Sequence, residues 1–265
     1  EPQSRLPCDL ETFNKFLRGG FLEEALTVFL APTGVGKSLF LCHFAAGMLM
    51  QGKNVLYITM EMSERQVAER IDANLLDIPI ENLADTDTSG LIKRMNRLRL
   101  KALGKLIVKG FPAHSAHAGH FRHTVNEMIM KKGIRPDAIF VDYLGICGSE
   151  RAPKTANSYE RLKTIAEEVR GIGQEFKCRT FSGAQVNKEG TKNIDFDITD
   201  TAESWGLPAT CDYLYGLVGN PELELLGKIK IKRMKERFND IVKVPAFMIG
   251  LDRAKMRLYD LDDYS

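Results

Sequence analysis

The sequence predicts an α/β fold: a mainly parallel sheet with helices on both faces and an antiparallel hairpin at its C-terminal end. Two observations predict it. Short apolar, β-rich runs alternate with longer segments of helical period, the pattern of strand–helix–strand crossovers. A glycine-containing loop, "APTGVGKS" at 31–38, also joins one such strand directly to one such helix.

Taken in order, "LTVFLA" (26–31) reads as a buried strand and "KSLFLCHFAAGMLMQG" (37–52) as a helix. "NVLYITM" (54–60) is the next strand. Ser63 followed by Gln66 is a capping box, which opens a helix running through Leu75. After a polar loop come a helix near 89–103 and a strand, "KLIVKG", at 105–110. Residues 117–132 read as helix, and "DAIFVDYL" (137–144) as a strongly apolar strand. Asn157 with Glu160 opens a further capped helix, whose Leu162, Ile165, Ala166, Val169, Ile172 and Phe176 keep helical spacing. "CRTFSGAQV" (178–186), "CDYLYGLV" (211–218) and "KIKIKRM" (228–234) read as strands, and "PAFMIGLDRAKMRLYDL" (245–261) as the terminal hairpin. No internal repeat or low-complexity linker interrupts the 265 residues, so a single domain is expected.

Composition narrows the function classes. Hydrophobic residues at 44% supply a core, and a net charge of +2 does not mark the whole chain as nucleic-acid-binding. The five scattered cysteines form no C-x-x-C pair, which disfavours a disulfide framework and suits a reducing cytosol. No apolar stretch reaches membrane-span length and no signal peptide is visible. The chain starts at Glu1, which suggests a fragment with a partner domain upstream.

The 31–38 loop matches G-x-x-x-x-G-K-[ST] at Gly36, Lys37 and Ser38, with Ala31 where the first glycine is usual. The loop Pro32-Thr33-Gly34-Val35-Gly36 and the first helical turn through Leu39 must curl around phosphates with the backbone N–H groups of residues 33–39, since Pro32 has none, so small residues are needed. Lys37 supplies a point charge to the β/γ-phosphates, and the Ser38 hydroxyl suits Mg²⁺. The helix N-terminus adds a favourable dipole. At ordinary glycine frequency an accidental match in such a chain has a probability of roughly 1%.

Carboxylates decide between kinases, GTPases and motors. Asp142 ends the strand "AIFVD", where a carboxylate suits the metal ion. Taken alone it reads more readily as a turn cap. Glu61 follows the strand at 54–60, where an acid can deprotonate an attacking water. Gln185 closes "TFSGAQ", where an amide can touch the γ-phosphate. If the strands are parallel, all three meet the loop at the carboxyl edge of the sheet, where open α/β sheets bind ligands.

"APTGVGKS", "YITMEMSERQVAERIDANLL", "IFVDYLGIC", "FSGAQV" and "TAESWGLPATCDYL", in that order, resemble the motor domain of DnaB-type replicative helicases, with a closer likeness to those of T4-type phages. The resemblance runs from residue 9 to residue 259. It implies a RecA-like core, a homo-hexameric ring, ATP with Mg²⁺, and 5′→3′ movement on single-stranded DNA in the host cytoplasm, with primase and a helicase loader as partners. It implies that Lys37 and Ser38 hold phosphate and metal, that Glu61 is the base, Asp142 the metal-associated acid and Gln185 the γ-phosphate sensor. The Lys-x-Arg pair of that family matches Lys235 and Arg237, placed across a subunit boundary. On this resemblance, the N-terminal domain of full-length helicases is expected to lie outside these residues. A RecA-like recombinase or switch ATPase remains an alternative, as does a small-molecule kinase, which leaves "MEMSERQ" unexplained.

The remaining charges divide between solvated surface and DNA contact. "LIKRMNRLRLKALGKLIVKG" (91–110) carries Lys93, Arg94, Arg97, Arg99, Lys101, Lys105 and Lys109 without an acid and reads as a solvated helix face. The loops after the Asp142 and Gln185 strands, with Arg151, Lys154, Lys188 and Lys192, are the better DNA contacts, tracking phosphates without sequence preference. His114, His117, His120 and His123 recur every three residues, which spreads them around a helix and disfavours zinc. Trp205 is expected in the core. If the late strand stays extended, Ile229, Ile231, Arg233, Lys235 and Arg237 share one face.

Overall fold

The computed structural model describes residues 4–99, 102–186, 206–237 and 244–261. At the N-terminal end, β1 (Arg5–Leu6) and β2 (Phe21–Leu22) pair as an antiparallel ribbon around α1 (Glu11–Phe16). Gly20 closes it with φ +129°, and a Cβ there would lie 2.2 Å from the Leu6 carbonyl oxygen, so only glycine fits. This ribbon carries no recognisable periodicity, because its strands are two residues long.

The alternating segments follow. β3 (Leu26–Ala31) leads through the loop into α2 (Lys37–Met50), and β4 (Val55–Thr59) into α3 (Glu64–Leu76). The capping box forms as expected: the Ser63 hydroxyl accepts from the Gln66 amide at 3.2 Å, and the Gln66 side chain accepts from the Ser63 amide at 3.0 Å. α4 (Thr88–Arg99) is shorter than its pattern, since 102–104 are not helical, and β5 (Leu106–Gly110) follows. Next come α5 (Ala118–Lys132), β6 (Ala138–Asp142), α6 (Ser158–Phe176) and β7 (Arg179–Gln185). The chain closes with α7 (Gly206–Thr210), β8 (Tyr213–Val218), α8 (Pro221–Leu225), β9 (Lys228–Glu236), β10 (Ala246–Asp252) and β11 (Arg257–Tyr259). Among the described residues, no helix is long and apolar enough to cross a membrane.

One nine-stranded sheet results, in the order β11-β10-β9-β8-β3-β7-β6-β4-β5. From β8 to β5 every neighbouring pair is parallel, and β9, β10 and β11 add antiparallel strands at the other side. The central strands are buried on both faces, which is why they read as continuous apolar runs. One face packs α1, α2 and α3 around Phe13, Phe21, Phe29, Phe40, Phe44 and Phe181; the other packs α5, α6 and α7 around Phe121, Val169 and Leu207. Phe29 stacks on Phe44 at 5.4 Å and Phe13 meets Phe44 edge-on at the same distance, geometries that favour aromatic pairs. α2 is buried almost all round, between the sheet and the terminal segments.

β9 departs from the expected alternation. Leu214 pairs with Lys235 and Tyr215 with Arg233, so Met234 is an extra residue, a β-bulge. Ile229 and Ile231 share a face with Arg233, but the bulge turns Lys235 to the opposite face, and Arg237 lies beyond the strand in a turn. The expectation of one common face fails because the side-chain period of two shifts phase at an inserted residue. Arg233 is instead buried, forking onto Glu236 at 2.7 and 2.6 Å and lying 4.2 Å over the Phe16 ring.

Truncating a buried ion pair on one side strands the other charge. Glu236→Ala should therefore destabilise the fold by about 3–5 kcal/mol, read as a lower urea midpoint at unchanged denaturant slope.

Candidate active site

Parallel register brings four strand ends to one edge. Ala31 pairs with Gln185, and Thr59 with Asp142, so the phosphate-type loop, the amide and the carboxylate all emerge together. Ala31 is still a buried strand residue without positive φ, so glycine is not required there. The freedom is needed later, at Gly34 (φ +83°) and Gly36 (φ +129°), which turn the chain from β3 into α2. Pro32, Thr33 and Val35 complete the turn. No side chain caps α2, whose first-turn N–H groups at Lys37, Ser38 and Leu39 are therefore open to an anion.

Lys37 is buried and lies along Gly183, where a Cβ would meet its Cδ at 3.3 Å. Its Nζ is 5.5 Å from the centre of the Tyr143 ring. Burial pushes its pKa down, opposed by the negative charges of Glu61 and Asp142.

Asp142 is fully buried. Its Oδ2 accepts from the Tyr57 hydroxyl at 2.9 Å, whereas its Oδ1 has no hydrogen-bond partner among the described residues. Burial raises this carboxyl above its ordinary range, and the neighbouring Ser38 and Tyr57 hydroxyls and Lys37 oppose the rise. The Ser38 hydroxyl lies beside this carboxyl and favours its ionised form. An orphaned buried carboxylate oxygen beside a hydroxyl and a phosphate-type loop is the donor set a hard divalent cation takes.

Glu61 is exposed on a turn held from both sides. The Thr59 hydroxyl donates to the Met62 carbonyl at 2.9 Å and accepts from the Met62 amide at 3.1 Å, and the Met60 amide donates to the Asp142 carbonyl at 3.1 Å. Its charge reaches Lys37, Asp142 and Tyr143. Gln185 touches the loop itself, donating from Nε2 to the Thr33 hydroxyl at 2.7 Å.

Lys235 and Arg237 do not join this cluster. β9 runs antiparallel to β8, so its end lies at the amino edge of the parallel strands. The six residues of β3 separate the edges by roughly 17 Å, beyond a side chain's reach. There Arg237 Nε lies 3.2 Å from Asp212 Oδ1, and Lys235 donates to the Pro208 carbonyl. Asp212 also takes two bonds from Arg170, at 2.9 and 3.2 Å, and one from the Leu26 amide at 3.0 Å.

Among the expected DNA contacts, Arg151 faces Glu167 at 3.3 Å and Glu168 at 3.6 Å, and Lys154 is exposed. Lys188, Lys192 and Trp205 lie outside the described residues. In the 91–110 segment, Arg94 donates to the Leu76 and Asp77 carbonyls and so caps α3. His117 caps α5, accepting from the Gly119 amide, and His120 stacks edge-on against it at 4.1 Å.

Three residues escape the sequence reading. Tyr57 leaves a signal, an aromatic hydroxyl two positions before Thr59 on the same strand face. Tyr143 stands beside Asp142 without one. Arg253 leaves none: its Nη2 donates to the Val35 carbonyl at 3.1 Å across 218 residues, and its Nε lies 2.5 Å from Glu224, so it braces the loop from behind.

A phosphate-type loop between strand and helix, with a carboxylate two strands away at the same edge of a parallel sheet, defines a nucleotide-binding α/β protein of the P-loop class. The chain belongs to the DnaB-like helicase C-terminal domain family, whose model matches residues 6–204. It is 39% identical over 265 residues to the DnaB-like replicative helicase of Enterobacteria phage T4, covering 98% of this chain and 56% of that protein. The chain thus spans little more than half of that relative's length. In fold it is similar to a DnaB-like replicative helicase whose structure was described with its interactions with primase (TM-score 0.80, 14% identity, 98% of this chain and 64% of that one). A second solved structure, of an ATPase domain on its own, is similar to the same degree (TM-score 0.79, 14% identity, 98% of this chain and 92% of that one). These matches carry the RecA-like fold.

The raised Asp142 pKa has a stability consequence. The folded, nucleotide-free chain holds this proton more tightly than the unfolded chain, whose carboxyl titrates near 3.8. The contribution is full below that value and is lost as pH rises through the higher folded pKa. Asp142 therefore weakens the fold increasingly as pH rises above the unfolded value. Asp142→Asn should raise the thermal midpoint of the nucleotide-free protein at pH 7, by about 2–4 °C per kcal/mol relieved, with the gain shrinking as pH falls. Differential scanning calorimetry across pH checks it.

Proposed function

We propose that this chain is a single RecA-like motor domain that hydrolyses ATP to move 5′→3′ on single-stranded DNA and separate duplex DNA at a replication fork. One observation supports it most: an uncapped helix N-terminus, a buried lysine and a buried carboxylate with an unpartnered oxygen converge at one sheet edge. The chain's family is the context that turns this nucleotide site into a motor.

In this reading the N–H groups of residues 33–39 and the Lys37 side chain bind the phosphates. Ser38 and Asp142 would hold Mg²⁺, which when bound offsets charge on the β- and γ-phosphates. Glu61 orients and deprotonates the attacking water. Gln185, already on the loop through Thr33, reads the γ-phosphate and passes its loss to the segment that follows. Arg151, Lys154, Lys188 and Lys192 track DNA phosphates. Lys235 and Arg237, too far from their own loop, act on a neighbour's nucleotide in a hexamer. Arg170 keeps Asp212 paired when Arg237 turns outward. Primase and a loader complete the assembly, in the cytoplasm of the host cell.

Glu61→Gln should keep nucleotide affinity and lose roughly 10²–10⁴ in hydrolysis rate. Arg237→Ala should lose on the order of 10³–10⁵ while still binding nucleotide, and Lys37→Ala should fail through binding. Mixed at concentrations where subunits associate, the last two should regain hydrolysis, since some interfaces pair an intact loop with an intact arginine. A 5′-tailed fork should be opened only by wild type. Normal hydrolysis by Arg237→Ala, with no recovery from demonstrably mixed subunits, sinks the trans assignment.

Replacing Arg151, Lys154, Lys188 and Lys192 by Ala should weaken single-strand binding for every sequence alike. Each lost phosphate contact should also flatten the log–log salt slope by ~0.7. An unchanged slope moves the DNA site elsewhere.

A further inference from the structure

Tyr57 sits mid-strand in β4, fully buried, its ring stacked at 5.9 Å and 6° on Phe140 of the neighbouring strand. Its hydroxyl donates to Asp142 Oδ2 at 2.9 Å and accepts from the Cys42 thiol at 3.8 Å. Cys42 stands one turn after Ser38 on α2, so the two share a helix face. The hydroxyl therefore lies beneath the first turn of α2, joined to the carboxylate there. Burial and the adjacent carboxylate push the Tyr57 pKa up, so the group remains a proton donor across the working pH range.

The consequence lies in which carboxylate oxygen is left. A carboxylate on a short strand-end side chain can rotate and offer either oxygen. With Oδ2 fastened from below by Tyr57, Oδ1 is the oxygen left without a protein partner among the described residues, on a carboxyl that also feels the Ser38 hydroxyl. Partners of this kind fix ligand orientation and typically tune metal affinity by 10–100-fold.

We propose that Tyr57 is a positioning residue for the nucleotide-bound divalent cation, locking Asp142 Oδ2 so that Oδ1 stays free to meet the metal. This rests on the reading of Asp142 as the metal-side carboxylate. Tyr57 does not touch nucleotide; it acts through Asp142, and its loss should change metal dependence before anything else.

The test is equilibrium binding of a fluorescent, non-hydrolysable ATP analogue, titrated with Mg²⁺ and repeated in EDTA. Tyr57→Phe removes one oxygen and keeps the ring stack. Its affinity in EDTA should stay within about twofold of wild type, which also reports an intact fold. Its half-saturating Mg²⁺ should rise about 10–100-fold, with excess Mg²⁺ restoring full binding. Asp142→Asn should abolish most of the Mg²⁺ dependence, and adding Tyr57→Phe to it should change nothing further, as expected of two residues acting as one unit. The double variant also strands no carboxylate, so it reports even where the single variant folds poorly. Unchanged half-saturating Mg²⁺ in Tyr57→Phe, with Asp142→Asn impaired, overturns the role of Tyr57 alone. A further loss in the double variant overturns it too, because Tyr57 would then act by another route. If Asp142→Asn itself leaves Mg²⁺ dependence intact, the metal assignment fails and the Tyr57 role falls with it.

Discussion

The parallel pairing of β3 with β7 on one side and β8 on the other is the constraint on which the remaining structure depends. Parallel neighbours require crossovers, and the crossovers bury both faces of the strands under helices. The same geometry sends every strand's C-terminal end to one edge, where backbone leaves the sheet and its amide groups are no longer used in the ladder. The loop before α2, the Glu61 turn, Asp142 and Gln185 share a neighbourhood for that reason.

The site is held in an unfavourable electrostatic state. A lysine and a carboxylate are both buried there without pairing directly, each shifted against its charged form. An unsatisfied buried oxygen normally costs free energy that a fold avoids. Around it the chain is rigidly satisfied: Thr59 pins the Glu61 turn, Tyr57 pins Oδ2, Arg253 braces the loop. Strain confined to one oxygen and one helix end is the state that a bound polyphosphate and cation would relieve.

The amino edge is arranged on the opposite principle. Asp212 is buried but accepts from Arg170 and the Leu26 amide and is ion-paired with Arg237, so its charge is compensated. The Met234 bulge matters here because it separates Arg233 from the Lys235 and Arg237 that follow it. Arg233 goes inward to Glu236 as part of the fold, while Lys235 turns to the other face and Arg237 to the sheet's end. Without the inserted residue all three would line the Phe16 face.

The sequence by itself determined the parallel α/β architecture, the strand and helix order from β3 onward, and the loop at 31–38. These are legible because each rests on local spacing: period two, period 3.6, a capping box, glycines where φ must be positive. That Asp142, Glu61 and Gln185 share an edge with the loop also followed, once the strands were taken as parallel. The two-residue strands around α1 were illegible because they hold no period. The bulge was illegible because phase is set by the partner strand, not by the strand itself. Tyr57 under Asp142, Arg253 behind Val35, and the two opposite edges that separate Lys235 and Arg237 from the loop depend on pairs 85, 218 and roughly 200 residues apart. Only tertiary structure decides such contacts, because they come from how the sheet orders its strands rather than from any residue's local preference.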